Sequence, residues 1–350
     1  MFDYSKALQT LLTPEIVATI SAIHEYRGRQ VRLSRVAPAT LDKLCNIAKI
    51  QSTGASNRIE NISTSESRLR ALMEEKVEPH NRDEQEILGY RYVLDMIHEN
   101  HDAIPVTPNV ILQLNRDLYR YLDYSFAGRW KDSDNIIQEI GEDGKPRTRF
   151  VPTSAAATPG AVEELCGVYR SSLHEGVYDP LLIISLFIFD FVSIHPFSDG
   201  NGRMSRLLTL LLLYQNKYTV GKYISIEHEI ERTKRSYYEA LKASSDGWRE
   251  GTCDYRPFVS YLLGVILACY RDFDQRSQLV DMPSSNEEKV RLYFEHAIRG
   301  ISKRDLLQEV PGMSEQTMTR ILQQLQQEGL IERVGAARAT TYRKKITPDS

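Results

Sequence analysis

The run His195-Pro196-Phe197-Ser198-Asp199-Gly200-Asn201-Gly202-Arg203-Met204-Ser205-Arg206 gathers an imidazole, a carboxylate, two glycines and two guanidiniums in one short stretch. Each group suits one part of a reaction at phosphorus. Gly200 and Gly202 carry no Cβ, so their backbone can take positive φ and approach phosphate oxygens, while Asn201 adds a side-chain amide donor. A long apolar stretch precedes the run and a helical one, Met204 to Tyr214, follows it. The turn therefore sits at a helix N-terminus, where unpaired N–H groups and the helix dipole favour anions. Arg203 and Arg206, three apart on the first turn, can address successive phosphates. Asp199 is the hard oxygen ligand that Mg²⁺ uses when it also holds substrate phosphates. His195, with a pKa near neutrality, is the natural general base for an attacking hydroxyl. Together the parts describe transfer of a phosphorus centre, with the nucleotide held by metal and anion hole.

Other phosphate-binding patterns do not fit. Gly200-Asn201-Gly202 opens like a dinucleotide fingerprint, but a helix-length apolar run stands where that motif needs a strand, and Ser205 replaces its third glycine. No Walker loop is present.

The elements that must position this loop read as helices. Apolar residues recur at three- and four-residue spacing in Ile87–Ile97, Val110–Leu122, Ala161–Leu173, Leu181–Ile194, Met204–Tyr214, Ser236–Leu241 and Phe258–Tyr270. The spacing predicts a mainly α protein whose middle is a helical bundle. One segment departs from it: Asn135–Ile140 and Lys145–Val151, on either side of Gly141-Glu142-Asp143-Gly144, predict a β-hairpin flap over about 134–151. Near Asp281–Asn286 the composition turns polar, as in a linker. Beyond it, helices from about Glu287, Ser302 and Ser314, then two short strands, give the order of a winged helix-turn-helix, with Ser314–Glu328 in the recognition position. We expect three parts: residues 1–84 as an N-terminal helical region, 85–280 as the catalytic domain, and 281–350 as linker and winged-helix domain.

Composition bounds the setting. The chain has 350 residues, and 44 Lys+Arg against 47 Asp+Glu give a net charge of -3, so no global field draws it to nucleic acid or to an acidic membrane. Its four cysteines are scattered, as for reduced thiols in the cytoplasm, and no zinc site is expected. The N-terminus shows no signal peptide. Leu181–Ile194 is too short to span a bilayer, so no membrane contact is expected.

The loop matches H-x-F-x-D/E-G-N-G-R-x-x-R at every specified position, and the chain is identified by it as a member of the Fic (filamentation induced by cAMP) family; the likeness extends over roughly residues 35 to 275. The resemblance implies an α-helical domain that transfers AMP from Mg-ATP onto Ser, Thr or Tyr of a protein. It implies His195 as base, Asp199 as Mg²⁺ ligand, Gly200, Asn201 and Gly202 around the α-phosphate, and Arg203 and Arg206 on the β- and γ-phosphates. The resemblance further implies that Phe197 anchors the loop and that Tyr237 and Tyr238 line the adenine pocket. It also implies that the flap aligns a target segment by strand addition.

Upstream, Ser56-Asn57-Arg58-Ile59-Glu60-Asn61 matches the family's inhibitory pattern S/T-x-x-x-E-G/N, on a helix of about 52–61. The resemblance implies that Glu60 pairs with Arg206 and blocks productive ATP placement. Asn61 suits the left-handed residue that closes a helix, and Ser63-Thr64-Ser65-Glu66 reads as a capping box for the next one. Alternatives stay open at this level: a bifunctional or de-AMPylating enzyme, or a DNA-binding regulator in which the Fic domain is secondary. Self-modification, oligomerisation and DNA or protein contact through the winged-helix domain are all compatible with the sequence.

Overall fold

A computed structural model describes residues 2, 4–33, 38–140, 145–281, 285–297, 300–310, 312–335 and 340–345. In chain order these residues form α1 (Tyr4–Leu11), α2 (Pro14–Leu33), α3 (Pro38–Ile59), α4 (Glu66–Met73), α5 (Arg82–Asn100) and α6 (Pro108–Leu118). There follow β1 (Ile137–Ile140), β2 (Pro146–Phe150), α7 (Thr158–Glu175), α8 (Pro180–Ile194), α9 (Asn201–Gln215), α10 (Ile226–Arg232), α11 (Lys234–Ser245) and α12 (Arg256–Asp281). The last elements are α13 (Asn286–His296), α14 (Lys303–Glu309), α15 (Glu315–Gln327), β3 (Ile331–Val334) and β4 (Thr341–Lys344). The mainly α fold expected from the periodicity is what the chain adopts.

The chain divides into two compact units, one of residues Met1–Arg27 and Ala48–Tyr270, the other of Gly28–Ile47 and Arg271–Ser350. This differs from the sequence division at 84/85. The C-terminal half of α3, with α4, is built into the unit that carries the loop, because α3 buries Ser52, Thr53, Ser56 and Asn57 there as well as Ala55 and Ile59. Those polar residues hide a core-facing helix from any apolar count.

In the first unit α8 is the central rod. From Leu181 to Ile194 every residue but Val192 is buried, as a helix apolar on all sides must be. α8 packs on α7 and α9, and α9 also meets α5. Asp179 starts α8 by accepting a hydrogen bond from the Leu181 N–H, with Pro180 at the first helical position. Asp190, buried inside α8, accepts from Tyr4, Trp248 and Tyr255. Burial pushes its carboxyl up to about 7 despite those three donors.

The flap forms as expected: β1 and β2 pair antiparallel, Gln138 opposite Thr148 and Ile137 opposite Phe150 with a register shift between. Its turn, Gly141–Gly144, lies outside the described residues. At the end of α4's approach the sequence reading needs correction. Ser65, and not Ser63, is the N-cap, accepting from the Arg68 N–H; Ser63 instead donates its backbone N–H to Asp83 and Thr64 its hydroxyl to Glu84. With those two residues held elsewhere, the helix begins one cap later.

The second unit contains the three helices and hairpin in the expected order. Ser285, Ser302 and Ser314 cap α13, α14 and α15, and Ser285 with Glu288 makes a full capping box. Gly329 ends α15 at φ +75°. Val290, Phe294, Leu306, Met318, Leu322 and Ile331 form its core. β3 pairs antiparallel with β4, and Ile301 bridges to Tyr342. The linker residues 282–284 lie outside the described residues.

Candidate active site

α8 ends at His195, which takes the left-handed conformation at φ +52° and donates its backbone N–H to Phe191. The chain then turns through Asp199 and Gly200, the latter at φ +80°, and re-enters a helix at Asn201. A Cβ on Gly200 would meet the Tyr119 hydroxyl at 2.7 Å, so both its conformation and its surroundings require glycine. The loop thus lies between the end of one buried helix and the start of another.

Asn201 clamps this turn. Its Oδ1 accepts from the Phe197 N–H at 2.9 Å and its Nδ2 donates to the Phe197 carbonyl at 2.8 Å. The side-chain amide expected to face phosphate is therefore committed to the loop, because both its oxygen and its nitrogen meet the backbone of Phe197. Phe197 is buried and stacks on Trp130 at 5.4 Å between centroids, in the anchoring role expected of it.

His195 is half-buried, with Nδ1 3.4 Å from the Val192 carbonyl. A proton on Nδ1 is the one that carbonyl can accept, which leaves the Nε2 lone pair to act as base. Burial first, and the Lys131 ammonium second, push the imidazole down to about 4. It is neutral, and so competent as a base, throughout the physiological range.

Lys131 escaped the sequence reading. Its backbone N–H donates to the Pro196 carbonyl, and its Nζ to the Ile194 carbonyl at 3.2 Å and to Asn135 at 2.8 Å. Asn135 in turn donates to the Phe197 carbonyl at 3.4 Å. The segment entering the flap is thereby stapled across the loop. Burial lowers the Lys131 ammonium to about 8. The only sequence signal was a Trp-Lys pair directly before the flap, which by itself reads as a solvated charge.

The two arginines behave differently from each other. Arg203 is 1% exposed and pairs with Glu86 on α5 at 2.7 Å, while its Nη2 donates to the Tyr119 hydroxyl at 2.9 Å. The outward reach expected of it is not seen, because Glu86 is a carboxylate buried in the core that must be neutralised there. Glu86 was legible only as a polar residue on an otherwise apolar helix face. Asp199, half exposed, accepts from the Gly200 N–H at 2.7 Å and lies 3.8 Å from Arg203.

Arg206, buried on the first turns of α9, is engaged by α3. Its Nε donates to the Ser56 hydroxyl at 2.8 Å, and its Nη2 to the Ser56 carbonyl at 2.9 Å and to Glu60 at 2.7 Å. Burial alone would lower its pKa; the Glu60 carboxylate and the nearby tyrosine hydroxyls outweigh that and raise it. A Cβ on Gly202 would collide with the Glu60 carboxylate. The carboxylate therefore lies on the first turn of α9, where the helix N-terminus favours an anion.

Glu60 is placed by the end of α3. Asn61 takes φ +62°, its N–H donates to the Arg58 carbonyl, and the Ile62 N–H reaches back to the Asn57 carbonyl. This is the Schellman closure that the Asn at this position foretold. Ser56 and Glu60 thus both contact Arg206, and Asn61 closes the helix that carries them.

Tyr237 is buried and Tyr238 half exposed, their rings 5.3 Å apart. Burial, together with the nearby Glu60 carboxylate, pushes the Tyr238 phenol up to about 12. Both tyrosines also lie within electrostatic reach of Arg149 on the flap. The Arg149 Nε is buried without a hydrogen-bond partner among the described residues, so the flap carries a cation toward this pocket.

No three His, Cys, Asp or Glu side chains among the described residues converge to hold a metal. A lone, accessible Asp199 beside an anion site still fits Mg²⁺, which takes one or two carboxylates and fills its shell with phosphates and water. No described helix is long and apolar enough to cross a membrane.

Residues 105–213 match the model of the Fic/DOC family. The protein adenylyltransferase Fic of Drosophila willistoni is 29% identical over 254 residues, covering 70% of this chain and 43% of its own. That of Aedes aegypti is 27% identical over 229 residues, 61% of this chain and 40% of its own. The chain thus spans about two fifths of the curated relatives it matches. A Fic family protein from Desulfovibrio desulfuricans superposes with a TM-score of 0.62 at 22% identity, over 97% of this chain and 98% of that one. A Fic domain containing signaling protein from Bacteroides thetaiotaomicron gives 0.62 at 23% identity, over 73% and 97%. These two establish a shared fold.

Proposed function

We propose that this chain, whose residues 105–213 match the Fic/DOC family model and which is 29% identical over 254 residues to a protein adenylyltransferase Fic, is a protein adenylyltransferase held inactive by Glu60, moving AMP from ATP onto a Ser, Thr or Tyr hydroxyl of a protein. The observation that carries this reading is the placement of a neutral His195 beside a glycine-rich helix start whose guanidinium, Arg206, is already gripped by a carboxylate. With Glu60 withdrawn, Arg206 is free to bind the γ-phosphate, and the N–H groups of the first turn of α9 to hold the α-phosphate. Nε2 of His195 takes the proton of the attacking hydroxyl; the bond from that oxygen to Pα forms, the bond from Pα to the bridging oxygen breaks, and pyrophosphate leaves. Asp199 would hold Mg²⁺, which neutralises phosphate charge when bound. Arg203, tied to Glu86, keeps the start of α9 in place against α5.

The flap would receive the target segment along its backbone edge, positioning the hydroxyl with little demand on side-chain identity. The test is incorporation of label from ATP into protein by Glu60→Gly and by Glu60→Gly/His195→Ala. Incorporation by the first and none by the second supports the reading; equal incorporation by both overturns it.

A further inference from the structure

We infer that α10 and the start of α11 are the clasp that positions the inhibitory carboxylate, with Glu231 and Lys234 as positioning residues for Glu60; this rests on the proposed inhibition. α3 is held against α10 at two levels one helical turn apart. Deep in the core, Ser52 donates to Glu227 at 2.7 Å, and Tyr90 donates to the other oxygen of the same carboxylate at 2.9 Å. One turn further along α10, Glu231 receives both Nε and Nη2 of Arg58, at 2.6 and 2.8 Å. Beyond that, the Lys234 Nζ donates to the Ile59 carbonyl at 2.8 Å.

The two levels differ in what they can do. The Glu227 level is closed to solvent, and breaking it would leave an unpaired buried carboxyl. The outer level is open: the side chains of Arg58 and Glu231 are 41% and 24% exposed. Ion pairs of that kind add little to overall stability, so the outer level can open without unfolding the protein.

Opening it acts on Glu60 directly. Ile59 precedes Glu60, and its carbonyl is one of those a helix end leaves without an internal partner. Lys234 satisfies that carbonyl and, as a cation at a helix C-terminus, also answers the dipole. Arg58 ties the same last turn to Glu231 on α10. Without them the end of α3 keeps its Schellman closure and the Ser56 contacts to Arg206 but loses its tie to α10 and α11, and the reach of Glu60 to Arg206 loses part of its fixed origin. Lys234 also opens α11, whose next turn carries Tyr237 and Tyr238, so one short segment touches both the brake and the pocket wall.

The test compares AMP incorporation by the full-length wild type with Lys234→Ala, Arg58→Glu and Arg58→Glu/Glu231→Arg, each also made in the Glu60→Gly background, with thermal melting as a check on folding. Lys234→Ala and Arg58→Glu are expected to raise incorporation by about 1.5- to 5-fold in the wild-type background, the charge-swapped pair to return it toward the wild-type level, and none to change it in the Glu60→Gly background. If Glu60→Gly releases activity but Lys234→Ala and Arg58→Glu do not, or if they change activity equally without Glu60, the clasp is refuted while the inhibition stands. If Glu60→Gly itself releases nothing, the inhibition falls first and the clasp with it.

Discussion

The Glu60 carboxylate lies so close over Gly202 that no side chain could stand there, and its oxygen is 2.7 Å from Nη2 of Arg206. A helix end thus sets a negative charge on the first turn of another helix, against the guanidinium of that same helix. The occupant and a nucleotide phosphate would want the same N–H groups and the same cation, so they are mutually exclusive by electrostatics as well as by volume.

Glu60→Gly should raise ATP affinity and AMP incorporation together, by roughly 10- to 100-fold, the range of a charge-assisted hydrogen bond of ~1.5–3 kcal/mol. The same change should lower the melting temperature of the nucleotide-free protein, because Arg206 is left buried without its carboxylate. Calorimetric titration with ATP and a thermal melt check both. A variant with unchanged affinity and unchanged melting would mean that the pair does no work.

Gly202→Ala separates the cradle from the brake. In the Glu60→Gly background the carboxylate is gone and a methyl group needs only a small shift of the Arg206 guanidinium 3.3 Å away, yet it stands where the phosphate must approach the backbone. The double variant is expected to fold normally and to lose ATP binding at least tenfold relative to Glu60→Gly. Retained binding would show that phosphate does not approach Gly202.

His195 should stay uncharged well below ordinary histidine range. Its pKa is held near 4 against about 6.5 for an exposed imidazole, so it carries its proton only in strong acid. An NMR titration of the nucleotide-free protein, with His195→Gln used to assign the signal, should show this ring neutral down to pH 5. A midpoint near 6.5 would contradict the burial account of its basicity.

Asp190 gives a prediction for stability. Its pKa is raised from the ordinary 3.8 to about 7 in the folded protein, so between those values the unfolded chain releases a proton that the folded chain keeps. The stabilisation that this difference supplies is present below about pH 4 and is lost as pH rises through 7. Urea unfolding of the wild type should lose more stability between pH 5 and 7.5 than that of Asp190→Asn. Parallel loss in both would place the titration elsewhere.

The candidate active-site loop and the end of α3 were legible because their chemistry is written in consecutive residues. Gly200, Asn61 and His195 all take the left-handed backbone, and the first two advertise it by type. The flap strands were legible from their break in helical periodicity. What could not be read was partnership at a distance: Glu86 claims Arg203, Lys131 and Asn135 staple the loop, and Glu231 grips Arg58 across more than 170 residues of chain. No local pattern encodes such pairs. α3 was only partly legible, because its buried face is lined by Ser52, Thr53, Ser56 and Asn57, which pack and hydrogen-bond where an apolar stripe would be sought. Asn201 was read by type as a phosphate donor, whereas its two amide atoms are spent on Phe197.

The central claim is that this loop transfers the α-phosphorus of ATP to a protein hydroxyl once Glu60 is removed. The most direct measurement incubates Glu60→Gly with ATP labelled at the α-phosphate and, in parallel, at the γ-phosphate, and counts label bound covalently to protein. The account predicts label from the α position alone, and none when His195→Ala is added. Label from the γ position, or none from either, would contradict it.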